Sequence, residues 1–177
     1  ASEIYKELIN KKIYTYDLLV SYGLFNMEIK NNLLAKKLFI FSIKKYPGFT
    51  KPYILLAEIF SLENNFKEAL KILLAAQKIK KSGSEIDYSL SLLYKKMGLF
   101  KEALVSINEA VKFSNIDVYQ ILKSDILIDM NENEKAKKIL LNLNIRKKSD
   151  LYFNKEILIS KIYLNQKNYK KAENILI

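Results

Sequence analysis

The feature that most constrains this chain is self-similarity at a fixed spacing. Five segments share an alanine-centred core: Leu33-Leu34-Ala35-Lys36, Lys67-Glu68-Ala69-Leu70, Lys101-Glu102-Ala103-Leu104, Glu134-Lys135-Ala136-Lys137 and Lys170-Lys171-Ala172-Glu173. Their alanines stand 34, 34, 33 and 36 residues apart. A repeat of this length is one supersecondary unit that cannot bury its own apolar face, so successive copies must stack on each other.

Other positions keep the same register. Twelve residues before each alanine the side chain is small: Gly23, Ala57, Ser91, Ser124 and Ser160. Four residues after it the side chain is large and apolar: Phe39, Leu73, Ile107, Leu140 and Leu176. Small residues let two helices approach, and large ones fill the space on the facing helix. Apolar residues recur at helical spacing, as in Leu56, Ile59 and Phe60, despite many β-favouring Ile and Tyr residues. The few breakers, Pro47-Gly48, Gly83 and Gly98, fall between these stretches. Asn65 followed by Glu68 reads as a helix start. The pattern predicts helix pairs near 16–29/32–46, 50–63/66–81, 84–97/100–114, 117–130/133–144 and 150–166/169–177, with one further helix over 3–14. The 36-residue spacing places the likeliest local irregularity at Asn144–Asp150.

These residues resemble the tetratricopeptide repeat (TPR), a helix–turn–helix unit of about 34 residues. The resemblance implies an all-α, right-handed α-solenoid of about five antiparallel helix pairs. It implies an N-terminal helix over 1–15, as a cap or the end of an earlier repeat, and an array over 16–177. The repeats run about 16–49, 50–83, 84–116, 117–149 and 150–177, the last incomplete. The chain begins on Ala1, as a fragment or processed form would, and ends five residues after Ala172, so the expectation is either that the array continues or that a partner covers Ile175, Leu176 and Ile177.

In such arrays the first helix of each pair lines a groove that receives a partner peptide or helix. By register that groove holds Val20 and Leu24, Ile54 and Glu58, Tyr88 and Leu92, Ile121 and Asp125, and Ile157 and Lys161. A second row one turn on adds Met27, Ser61, Lys95, Ile128 and Leu164. Some of the apolar members are equally expected to pack against neighbouring repeats. A carboxylate clamp for a chaperone tail would require cations at Val20, Leu24, Leu55, Glu85 and Ser89, or at Ile54, Glu58, Ser89, Val118 and Leu122. Neither set has them. The groove, richer in apolar than charged residues, suits the apolar face of an amphipathic helix.

Composition removes other classes. The chain of 177 residues has no Cys and no His, which excludes thiolate or imidazole metal sites, disulfides and histidine-dependent hydrolysis. No cofactor is expected. The catalytic candidates are carboxylate pairs such as Glu132/Glu134 or Asp125/Asp129, and no nucleophile or Gly-rich phosphate loop accompanies them. No apolar run approaches the roughly 18 residues of a membrane span, and no signal-peptide pattern opens the chain. The compartment stays open.

The net charge of +11 comes from 30 basic residues, of which only Arg146 is arginine. Recognition of nucleic acid favours arginine for bidentate contacts, and the lysine pairs are spread along the chain. The sequence therefore predicts a non-catalytic protein-interaction scaffold, within a larger assembly. A basic solenoid binding nucleic acid or another polyanion through lysines and stacked tyrosines is the alternative.

Overall fold

The computed structural model describes residues 14–79 and 83–176, together with Glu3 and Glu7. Of the helix expected over 3–14, Glu3 and Glu7 are helical and Tyr14 is not; the rest of it, and the side chain of Leu176, lie outside the described residues. Among the described residues there are ten helices and no strand. They are α1 (Tyr16–Glu28), α2 (Asn32–Lys45), α3 (Lys51–Leu62), α4 (Phe66–Ile79), α5 (Ser84–Lys96), α6 (Phe100–Phe113), α7 (Asp117–Asp129), α8 (Asn133–Asn142), α9 (Asp150–Asn165) and α10 (Tyr169–Leu176). The helices pair as α1/α2, α3/α4, α5/α6, α7/α8 and α9/α10, an all-α solenoid of the expected kind.

One turn chemistry builds every pair. The first helix ends in a Schellman motif, in which the residue two past the cap donates its N–H back to the third-last helical carbonyl. Asn31 donates to Asn26, Asn65 to Phe60, Leu99 to Tyr94, Glu132 to Leu127 and Asn168 to Tyr163, at 2.8–2.9 Å. The residue before each of these is left-handed: Lys30, Asn64, Gly98, Asn131 and Lys167 have φ between 58° and 75°. At three turns the closing residue also starts the next helix. The Asn31, Asn65 and Asn168 side chains accept from the N–H of Leu34, Glu68 and Lys171. Three residues thus reverse the chain at every pair, and at these three turns one of them also satisfies an N–H of the following helix.

The chain divides into two compact units, Ala1–Lys81 and Ser82–Ile177. In the first, Val20, Ala35, Phe39, Leu55, Leu56 and Ile59 form the main cluster, flanked by Leu19, Tyr22 and Leu38. In the second, one cluster is built on Ala103, Ile107, Ala110, Tyr119, Leu122 and Ile126, the other on Leu127, Ala136, Leu140, Leu158, Ile159 and Ile162. All five anchor alanines are buried. The irregular segment falls between α8 and α9, where Lys148 takes a left-handed φ of 65° before Ser149 caps α9.

The small position also carries a hydrogen bond. Ser91 Oγ donates to the Ala103 carbonyl at 2.8 Å and Ser160 Oγ to the Ala172 carbonyl at 3.2 Å, each bridging the two helices of a pair. Ser91→Ala keeps the close approach but removes the bridge, so a loss of about 1 kcal/mol is expected in urea unfolding. A Ser91→Ala protein as stable as the parent would mean the bridge adds nothing.

Candidate functional site

The second unit brings three first helices, α5, α7 and α9, side by side. Across them runs a four-membered ion network. Lys95 Nζ on α5 lies 2.9 Å from both Asp125 Oδ2 and Asp129 Oδ2 on α7. Lys161 Nζ on α9 meets the remaining oxygens, at 3.3 Å from Asp125 Oδ1 and 2.8 Å from Asp129 Oδ1. Each carboxylate is thus shared by two ammonium groups from opposite sides.

Burial opposes the charged forms here, and the pairing outweighs it. Desolvation pushes Asp129 upward, yet hydrogen bonds from Lys161 and Lys95 hold its carboxyl below the ordinary value. Lys95 and Lys161, likewise penalised by burial, are held above the ordinary lysine value by Asp125 and Asp129. Four fixed charges therefore cancel at neutral pH. A carboxylate held ionised as Asp129 is suits general acid–base work poorly. The other catalytic candidates are also engaged: Glu132 pairs with Lys135, and Glu134 accepts from Gln166.

Apolar side chains lie on the same three helices. Tyr88, half-buried, stacks on the buried Tyr119 of α7 with ring centroids 4.9 Å apart. Burial, and then the neighbouring Tyr119, raise the Tyr88 hydroxyl above its ordinary pKa. Leu92 and Ile121 are half-buried against the core clusters, and Ile157 and Leu164 on α9 are about half exposed.

The residues expected in a groove therefore separate. The ion network joins Lys95, Asp125 and Lys161, and by helical spacing Tyr88 and Leu92 fall on the stripe of Lys95, Ile121 on that of Asp125, and Ile157 on that of Lys161. Ile128 is not among them: it is 2% exposed and belongs to the core, because it turns inward while Asp129, the next residue, turns out to the lysines. In the first unit Val20 is also core, packed with Leu55 and Leu56. Leu24 and Glu58 are exposed, Ile54, Met27 and Ser61 half-buried. Sequence reasoning placed Asp129 only in a catalytic pair and missed it as the partner of Lys95 and Lys161. The signal available was its i,i+4 spacing from Asp125 on one helix face.

A family model described as tetratricopeptide repeat matches residues 88–117, from within α5 through α6 to the start of α7. Solved structures share the architecture over almost the whole chain. A thermophilic TPR protein of Thermus thermophilus has a TM-score of 0.78 at 13% identity, over 89% of this chain and 88% of that one. The fold is that of a tetratricopeptide repeat array. A TPR protein of Parabacteroides merdae has a TM-score of 0.75 at 14% identity, covering 97% of this chain and 69% of its own. YrrB, described as a TPR protein with an unusual peptide-binding site, has a TM-score of 0.68 at 14% identity, over 99% and 90% of the two chains. At these identities the likeness is one of fold. No curated protein matches by sequence. The TPR fold suggests a protein-interaction scaffold, and TPR proteins are generally non-catalytic.

Proposed function

We propose that this protein is a non-catalytic scaffold that seats a partner peptide or amphipathic helix on the face of α5, α7 and α9, as part of a larger assembly. The observation that carries the reading is the neutral Lys95–Asp125–Asp129–Lys161 network set among Tyr88, Leu92, Ile121 and Ile157. Apolar side chains supply contact area, while cancelled charges fix orientation without making the face a general trap for ions. In the first unit Leu24, Ile54 and Glu58 stand at the equivalent positions of α1 and α3 and serve the same role there. YrrB, similar in fold, is named for a peptide-binding site, which favours this class of ligand.

The test compares two faces. Ile157→Asp with Leu164→Asp charges the exposed apolar part of α9; Val105→Asp with Leu141→Asp does the same on α6 and α8. Partners captured by the unaltered protein are expected to be lost at least tenfold from the α9 variant and retained by the other, with helicity unchanged in both. Retention by the α9 variant, or equal loss from both, would place the binding surface elsewhere.

A further inference from the structure

Basic charge in the first unit is segregated by helix. Helices α2 and α4 carry seven lysines against Glu68 alone, a net charge of +6. Helices α1 and α3 carry Lys51 against Asp17, Glu28 and Glu58, a net of −2. Both basic helices pack on α3, and their outward positions repeat with the 34-residue period. On α2 these are Leu33, Lys37, Ile40, Phe41 and Lys44; on α4 they are Lys67, Lys71, Leu74, Ala75 and Lys78, and every one is exposed. A spacing of i, i+4, i+7, i+8 and i+11 lays each set along one stripe.

The apolar members of the stripe decide which anion fits. Leu33 is 66% exposed and Ile40 52%, standing between Lys37 and Lys44, and Leu74 stands between Lys71 and Lys78. Nucleic-acid binding through released counterions needs cations alone and gains nothing from aliphatic side chains. The aromatic ring of the stripe, Phe41, is engaged edge-on with Tyr14 at 5.2 Å and is not a free stacking platform. An anionic bilayer uses both components: ammonium groups pair with lipid headgroups while leucine and isoleucine enter the acyl boundary. No helix among the described residues is long and apolar enough to cross a membrane, so attachment would be peripheral.

We propose that the outward face of α2 and α4 docks this protein on an anionic lipid surface.

Vesicle flotation of the full chain tests it. Binding is expected to phosphatidylcholine vesicles containing about 30 mol% phosphatidylserine and not to phosphatidylcholine alone. Reversing Lys37, Lys44, Lys71 and Lys78 to Glu should weaken binding by about tenfold or more. Leu33→Ser with Ile40→Ser, at unchanged net charge, should weaken vesicle binding several-fold and leave binding to a homopolymeric RNA unaffected. Circular dichroism of both variants checks that the helices persist, and the two sets of changes give separate readouts. Absence of binding to the anionic vesicles overturns the proposal. So does full vesicle binding by the Leu33/Ile40 variant with RNA as an equal competitor, because the face would then read negative charge alone.

Discussion

Phe39→Leu, a destabilising change on its own, is expected to stabilise the protein when Gly23 is first replaced by Ala. A Cβ added at Gly23 would lie 2.3 Å from Phe39 Cε1 and 2.7 Å from Cζ. The Phe39 ring is wholly buried and cannot swing into solvent. Placing Ala in a helix gains up to about 1 kcal/mol over Gly, but overpacking a core costs about 1–3 kcal/mol. With this contact so short the second effect wins, and a net loss of about 1–2 kcal/mol is expected for Gly23→Ala. Phe39→Leu alone leaves a cavity and costs about 1–2 kcal/mol. Together they reproduce the pairing found one repeat later, where Ala57 stands at the small position and Leu73 at the large one. A double-mutant cycle read by urea unfolding is expected to show a favourable coupling of more than about 2 kcal/mol, larger than the cost of Phe39→Leu alone. Additive effects would mean that the ring moves aside and the size match is unimportant.

Removing a carboxylate from the ion network is the second large effect. Asp129→Asn leaves Lys95 and Lys161 sharing Asp125, so two partly buried ammonium groups face one carboxylate. Because the four side chains keep some access to water, the expected cost is about 1–2 kcal/mol, less than for a fully buried pair. The pH dependence follows from the directions of the shifts. Asp129 is held below its ordinary 3.8, so its contribution is present above about pH 4 and drains away as pH falls toward the folded value. Lys95 and Lys161 are held above 10.5, so their contribution is lost only as pH rises through still higher values. Between these limits the network is intact. Thermal unfolding followed from pH 7 to pH 3 should fall less steeply for Asp129→Asn than for the unaltered chain. Parallel curves would show that the network does not contribute to acid stability.

The helices and their pairing were legible because packing repeats. Ala103, Ile107 and Ser91 recur as types at fixed offsets, and each does the job its size suggests. The turns were legible at Asn64, Gly98 and Asn131, residue types that tolerate a left-handed backbone. At Lys30 and Lys167 the register placed the turn, but the residue type gave no sign of its left-handed backbone. There the Schellman hydrogen bonds of the finished hairpin impose the geometry.

The candidate face was half legible. Equal register placed Lys95, Ile128 and Leu164 in one row, yet Ile128 is core and Leu164 exposed. One residue turns a helix by about 100°, so a small difference in how each helix rotates on its neighbours exchanges an inward for an outward side chain. The period varies from 33 to 36 residues over this part of the chain, and exact equivalence is lost with it.

The amino-acid sequence by itself determined the repeat, the helical hairpin and the matching of small to large residues, because these depend on local periodicity and side-chain volume. Only the tertiary structure decided which charges meet. Lys161 reaches Asp125 and Asp129 across 36 and 32 residues, and the chain offers other lysines and carboxylates at comparable separations. Coulomb attraction does not name its partner. The packing of α5, α7 and α9, by fixing helix rotation and side-chain reach, selects this pairing from the others that the composition allows.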